Sequence, residues 1–106
     1  MSKYLFVARY SSEGVKGVLA KGGTARRSAV EQAVAALDGS LESFYFAFGD
    51  DDAYVVAELP DAVAASALSL QVGASGVGSV RTVVLLSPED IDRAAQAPNS
   101  YRPPGS

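Results

Sequence analysis

The segment Phe44–Val56 constrains the fold of this chain more than any other stretch. An extended run rich in aromatic residues is followed by the acidic segment Gly49–Asp52 and then by a second run rich in β-branched residues. Two strand-forming runs on either side of a short Gly/Asp turn are typical of a β-hairpin. The segment therefore predicts two adjacent antiparallel strands, over residues 41–48 and 53–59.

The remaining elements follow from hydrophobic spacing and from helix-capping residues. Alternating side chains predict a first strand over residues 3–10, and an apolar run over residues 80–86 predicts a buried last strand. Apolar residues at i, i+3 and i+4 spacing predict helices before and after the hairpin. These helices are a weak one after Ser11 that is interrupted at Gly22-Gly23, a second after Thr24, a third over residues 62–72, and a short one from Ser87 to about Ala97.

The order of elements predicts an α+β domain of the ferredoxin-like type, β-α-β-β-α-β, with a short C-terminal helix added. Its four antiparallel strands would follow the spatial order 4-1-3-2, with both main helices on one face. Because no linker divides the chain, residues 1–97 are predicted to form a single domain. Residues 98–106 contain three prolines, a glycine and two serines, which predicts a flexible C-terminal tail.

The second face of such a sheet has no helix to cover it. If side chains such as those of Phe44, Phe46, Tyr54 and Val83 lie there, they form a large apolar patch, and such patches usually mark an interface. We therefore predict a homodimer or a higher homo-oligomer in which two sheets pack face to face.

Composition excludes several classes of function. The chain contains no cysteine and no histidine. Their absence excludes disulfides, thiolate nucleophiles, zinc fingers, Ser-His-Asp triads and a haem held by a histidine or a thiolate. We therefore expect no bound metal and no cofactor.

Charge and hydropathy limit the expected partners. The 106 residues carry a formal net charge of -3 and their longest cationic run is Arg26-Arg27, which argues against a protein that follows nucleic-acid phosphates. The apolar stretch near the N-terminus is short and is broken at Arg9, so it predicts neither a signal peptide nor a membrane span. The expected compartment is the cytoplasm.

A set of charged side chains in otherwise apolar strands forms a candidate site, namely Arg9, Glu42, Glu58 and Arg81, with Tyr54 near the two arginines. In the predicted sheet order they share the face opposite the helices, where they would line one cavity between two sheets. The two arginines would hold a small anionic ligand such as a carboxylate or a phosphate. If the protein is an enzyme, Tyr54 or Glu58 is the candidate catalytic acid–base group. The alternative is a set of ion pairs at the rim of the sheet.

Two turns supply further candidates. The three carboxylates of Asp50–Asp52 could bind a hard cation such as Mg²⁺ or Ca²⁺, but Gly and Asp are also ordinary turn formers and neighbouring side chains seldom converge. Gly22-Gly23 precedes a helix start and Arg26, an arrangement that can bind an anion through backbone N–H groups, although the P-loop lysine is missing. An ordinary capped helix break is the alternative there.

Several blocks of sequence together resemble the GYD domain family, whose members are small bacterial and archaeal proteins. The resemblance extends over roughly residues 3–95 and rests on the blocks 22–27, 41–50, 58–60 and 81–82. It implies a ferredoxin-like fold that assembles as a dimeric α+β barrel, and it implies no established activity.

The positions that match the family's pattern and become candidate site residues are Gly49, Asp52, Arg26 and Glu58. The first three are candidates for ligand binding. The tyrosine of the family's name-giving pair is replaced here by Asp51, so any role of that tyrosine is absent or passes to Tyr54.

The leading hypothesis is a homo-oligomeric domain that encloses a small-molecule cavity between two sheets. Dimeric α+β barrels as a group include cofactor-independent oxygenases, isomerases and ligand sensors, so an oxygenase or isomerase is the first alternative by analogy of fold. A structural assembly protein without a ligand is the second. The sequence does not decide whether the protein is an enzyme.

Overall fold

The computed structural model of the protein describes residues 1–105. Within that range the chain forms four strands and four helices, in the order β1 (Ser2–Tyr10), α1 (Ser12–Lys21), α2 (Gly23–Ala36), β2 (Ser40–Phe46), β3 (Ala53–Leu59), α3 (Ala62–Ala74), β4 (Gly78–Leu85) and α4 (Pro88–Ala95). Residues 98–105 form no helix or strand and are exposed, and Ser106 of the predicted tail lies outside the described residues. None of the helices in this range is long and apolar enough to cross a bilayer.

The four strands form one antiparallel sheet in the order β2-β3-β1-β4, which confirms the predicted α+β class and strand order. The hairpin is confirmed as well, since β2 and β3 pair from Phe46 with Ala53 back to Ser40 with Glu58. The architecture is consistent with a ferredoxin-like fold. β2 ends two residues earlier than predicted, because the segment that follows already turns back and its Ala47 N–H donates to the carbonyl oxygen of the turn's last aspartate.

Three of the predicted helix starts are confirmed by capping hydrogen bonds, the first at Ser11, whose hydroxyl accepts from the Gly14 N–H at 3.2 Å. Asp61 accepts a hydrogen bond from a backbone N–H of the first turn of α3 at 2.9 Å, and Ser87 and Asp90 form a reciprocal capping box at the start of α4. The predicted cap of the second helix is wrong. α2 begins at Gly23, one residue before Thr24, and no side chain caps it.

The core lies between one face of the sheet and the helices. Its buried members come from both central strands and from α2 and α3: Tyr4, Phe6, Val34, Val55, Ala57, Leu59, Ala65 and Leu68. Phe44 and Phe46 lie on this helix face too, because the strand register places them opposite the buried Val55 and Ala53. The expectation that these two phenylalanines lie on the uncovered face is therefore wrong.

The opposite face of the sheet, called the open face below, lies away from that core. Tyr54 and Val83 are on this face, as predicted, and they are 39% and 37% exposed. Tyr45 on the edge strand β2 is 70% exposed. Val7 is buried although it belongs to the open face, since it lies in a central strand between Tyr54 and Arg81.

Candidate functional site

Four side chains meet at one end of the open face, and we call them the arginine cluster (Arg9, Asp51, Tyr54 and Arg81). In the strand register Val7 lies directly between Tyr54 on β3 and Arg81 on β4. Arg9 follows two residues later on the same face of β1. The sheet therefore brings together three of the residues that were singled out from the sequence.

Asp51, the fourth member, was singled out from the sequence only as one of three possible cation ligands in the acidic turn, and not as a partner of the arginines. Its carboxylate oxygens lie 3.8 Å from the guanidinium of Arg9 and 3.8 Å from that of Arg81. Its side chain is 18% exposed, whereas the arginine side chains are 63% and 68% exposed. One carboxylate thus faces two guanidinium groups at distances beyond direct hydrogen bonding, which leaves guanidinium N–H donors available to a ligand. The acidic turn is the sequence feature that points to a carboxylate near the arginines, but the sequence does not show which of the three adjacent aspartates lies against the sheet.

Hydrogen bonds hold the acidic turn against the end of β1. Arg9 Nη2 donates to the Asp50 carbonyl oxygen at 2.6 Å, and the Tyr10 N–H donates to Asp52 Oδ2 at 2.8 Å. The Asp52 N–H donates in turn to the Ala8 carbonyl oxygen at 2.8 Å. The position of Asp51 over the sheet is therefore fixed by backbone contacts on both sides of it.

The three carboxylates of the turn do not converge on one point. Asp51 faces the two arginines, Asp52 accepts a backbone N–H, and Asp50 is exposed. Among residues 1–105 there is no group of three acidic side chains that could hold a metal ion. Gly49 is exposed in the same turn with open space around it. The predicted ligand-binding roles of Gly49 and Asp52 stay predictions, and the contact made by Asp52 here is structural.

Glu58 lies on the open face but at its other end, contrary to the expected single cavity. It is four residues from Tyr54 along β3, about 13 Å at the rise of a strand, and its neighbour across the sheet is Lys3. Lys3 Nζ donates a hydrogen bond to Glu42 at 2.6 Å, and this bond, together with the negative charge of Glu42, raises the pKa of Lys3. Within one chain, Tyr54 and Glu58 therefore cannot act on the same atom.

Arg26 is separated from the arginine cluster by the sheet. Its guanidinium carbon lies 5.8 Å from the ring centroid of Tyr10, a residue of the helix face. Both residues line a cavity of about 250 Å³ between α1 and α2, which we call the helix-side cavity. Its other wall residues include Gly14, Val18 and Ala29. Arg26 therefore belongs to a different candidate site from that of Arg9 and Arg81.

The arginine cluster is an open surface in a single chain. Arg9, Tyr54 and Arg81 are all exposed, so nothing within residues 1–105 of one chain excludes water from their donors. Strong binding of a small anion needs a site from which water is removed. The cluster can meet that condition only if another surface covers the open face.

The family model described as the GYD domain matches residues 4–95, which contain every strand and helix of the fold except the first two residues of β1. No significant match was found among curated proteins or among solved structures.

Proposed function

The chain belongs to the GYD domain family, and from that premise we propose that it is a homodimeric domain whose open faces pack together and enclose a small-molecule site. The observation that supports the proposal most directly is the row of apolar side chains across the middle of the open face: Leu5, Val56 and Val83. A second sheet about 10 Å away would remove these side chains from water, which is favourable.

The ligand of the proposed site is a small molecule with a carboxylate or a phosphate. Arg9 and Arg81 share the single carboxylate of Asp51 and keep unused N–H donors. Burying an unmatched cation between two sheets is costly unless an anion accompanies it. Tyr54, beside the cluster, supplies an additional hydroxyl donor.

The oxygenase or isomerase alternative receives less support from the geometry. It would combine Tyr54 or Glu58 as an acid–base group with an arginine that stabilises an enolate. Glu58 lies at the far end of the open face from both arginines, so a single chain offers Tyr54 alone. We therefore propose binding, and we do not propose a reaction.

The helix-side cavity is a second place where a small molecule could bind. Its volume of about 250 Å³ and its mostly apolar wall fit a molecule of a few heavy atoms, with Arg26 at one side for an anionic group. A smaller cavity of about 100 Å³ lies next to it and is lined by the core residues Phe6 and Val55. Because Arg26 and Arg81 lie on opposite sides of the sheet, the two candidate sites can be tested separately.

The dimer is tested by placing a charge on each face of one strand. Val83→Asp puts a carboxylate in the middle of the proposed interface and should raise the dimer Kd by at least about 100-fold. Val84→Asp is the matched control, because Val84 is the next residue of β4, faces the helix side and is 58% exposed. Native mass spectrometry should show dimers for the wild type and for Val84→Asp, and monomers for Val83→Asp.

A wild-type protein that stays monomeric at micromolar concentrations would end the proposal. Dimers of all three proteins would show that self-association uses a different surface.

The ligand site is tested with benzoate and with inorganic phosphate as probes, in NMR titrations of Arg81→Gln and Arg26→Gln. Arg81→Gln loses a charge-assisted hydrogen bond at the open face and should bind the probes roughly 10- to 100-fold more weakly than the wild type. Arg26→Gln should bind them with the affinity of the wild type. The reverse result would assign the ligand to the helix-side cavity. If the probes shift no resonances of the wild type or of either variant, and no small molecule is retained on purification, a structural assembly protein would be favoured.

A further inference from the structure

We infer that the two-fold axis of this dimer runs along the strands, so that β1 of each chain faces β3 of its partner and the arginine clusters share one chamber. This inference rests on the homodimer proposed above. It concerns which side chains meet across the interface, and it follows from the strand register of the open face.

Where all four strands pair, the register arranges the open face in three rows that cross the sheet from β2 to β4, and Arg9 and Ser79 continue the face beyond them on β1 and β4. The row nearest the acidic turn is Tyr45, Tyr54, Val7 and Arg81; the middle row is Ser43, Val56, Leu5 and Val83; the far row is Ser40, Glu58, Lys3 and Leu85. Charged side chains occupy the two outer rows, and the centre of the middle row is apolar. Any packing of two such faces must bring these rows into contact.

Two sheets that pack with aligned strands can be related by a two-fold axis in two ways. An axis along the strands keeps each row opposite the same row of the partner and reverses the order of the strands. β1 then lies opposite β3 of the partner, and β4 lies opposite β2. An axis across the strands keeps the strand order and exchanges the two outer rows, so that β1 lies opposite β1.

With the axis along the strands, the charged far rows of the two chains face each other and so do the apolar middle rows. Lys3 lies opposite the partner's Glu58, and symmetry repeats that pair. Leu5 lies opposite the partner's Val56, so the apolar middle rows cover each other. Lys3 and Glu58 thereby each gain a partner of opposite sign, which is the condition for burying them without a large penalty.

The same axis explains the exposed tyrosine at the sheet edge. Arg81, the β4 member of its row, lies opposite the partner's Tyr45, the β2 member. Tyr45 is 70% exposed in one chain, and a guanidinium over its ring would be a cation–π contact. Both arginine clusters lie at the same end of this dimer, where they share one chamber, and each cluster is completed by the partner's Tyr45.

With the axis across the strands, charges meet apolar groups. Lys3 then lies opposite the partner's Val7, and Arg81 lies opposite the partner's Leu85. These charges would lose water and gain no counter-charge across the interface, an arrangement that costs free energy. The open face therefore favours the first axis on its own chemistry.

Charge exchange between Lys3 and Glu58 tests the axis. In Lys3→Glu the new carboxylate meets the partner's Glu58 twice, and in Glu58→Lys two lysines meet twice, so each homodimer is weakened. An equimolar mixture of the two variants restores both contacts. Native mass spectrometry with one variant ¹⁵N-labelled should show the heterodimer in at least about tenfold excess over either homodimer. Random exchange would give only a twofold excess, which would overturn the inference.

A matched control separates contacts across the interface from contacts within a chain. Glu42 is the hydrogen-bond partner of Lys3 in its own chain, at 2.6 Å, and it lies at the bulge of the edge strand β2. A mixture of Lys3→Glu with Glu42→Lys should therefore show no preference for the heterodimer. A preference there equal to that of the first mixture would also count against the axis.

The double variant K3E/E58K covers the case in which a single variant does not fold. It keeps opposite charges at this cross-strand pair within the sheet, and its two copies match each other in the proposed dimer. Against the wild type, however, it presents like charges at both contacts. Double variant and wild type should therefore sort into separate homodimers, at least about tenfold over the mixed species.

Free mixing of K3E/E58K with the wild type would overturn the inferred axis and leave the dimer itself standing. A monomeric wild type in the same spectra would instead overturn the proposed function, so the two failures are distinguishable.

Discussion

Two glycines on α1, Gly14 and Gly17, lie one turn apart in very different surroundings. A Cβ at Gly14 would overlap the Val77 carbonyl oxygen and crowd the Cβ of Tyr10, whereas a Cβ at Gly17 would meet no neighbour within 4 Å. From the sequence, both look alike as weak points of a helix. The tertiary contact requires a glycine at position 14, whereas position 17 has room for a larger side chain.

The pair Gly14→Ala and Gly17→Ala tests this difference at fixed protein concentration. Gly14→Ala should lower the free energy of unfolding by about 1–3 kcal/mol, because α1 must move away from the loop residue Val77 and from Tyr10 of β1. Gly17→Ala should raise it by up to about 1 kcal/mol through the better helix propensity of alanine. Urea denaturation followed by circular dichroism measures both values. Shifts of the same sign would contradict the close packing of α1.

Among the elements, α4 is stabilised by contacts among its own residues near its N-terminal end, and not by packing against the core. Ser87 accepts a hydrogen bond from the Asp90 N–H at 3.0 Å, Asp90 accepts one from the Ser87 N–H at 3.0 Å, and Arg93 contacts the same carboxylate. No residue of α4 is buried. The helix should therefore form or unfold without changing the stability of the sheet.

Acid should unfold α4 before the rest of the molecule. The hydrogen bond from the Ser87 backbone N–H lowers the pKa of Asp90 below its usual value of about 4. A carboxylate with a lowered folded-state pKa stabilises its structure above the usual value, and that stabilisation is lost as the pH falls through the folded-state pKa. Backbone chemical shifts of Glu89–Ala95 should therefore move towards coil values below about pH 4.

Ser87→Ala provides the comparison for that titration. The variant lacks one half of the capping box, so the shifts of α4 should already lie nearer to coil values at pH 7, while the melting temperature of the domain stays unchanged. A fall of several degrees in that temperature would show that α4 packs against the domain or its partner more firmly than one chain indicates.

The whole molecule is longer than a compact domain of its size. Its extents are 58 × 32 × 22 Å and its radius of gyration is 16.8 Å, against about 13 Å for a compact domain of 100 residues. Most residues that follow β4 are exposed, and none of those up to Gly105 is buried. A single chain thus combines an uncovered sheet face with a C-terminal segment that lies outside the core.

Association should also appear in thermal unfolding. If the folded form is a dimer, a tenfold rise in protein concentration should raise the melting temperature by roughly 3–6 °C, since dissociation accompanies unfolding. Val83→Asp should melt at a temperature that does not depend on concentration. Calorimetry at two concentrations checks both expectations, and a concentration-independent wild type would agree with a monomer.

The sequence by itself determined the elements, their order and the strand order of the sheet. These features depend on local chemistry: alternation along strands, capping by Asp61 and Ser87, and the Gly/Asp turn between β2 and β3. The absence of cysteine and histidine likewise fixed which chemistries are closed to the chain. Local patterns suffice here because each depends on residues only a few positions apart.

Only the tertiary structure decided which residues meet. Alternation shows that Phe44 and Phe46 share a face, but the register with β3 decides that this is the helix face. The partner of Arg9 and Arg81 is Asp51, which is more than 25 positions from either, and Arg26 lies beyond the sheet from all of them. Such pairings arise from the packing of the whole sheet against its helices, and the pattern of neighbouring residues does not encode them.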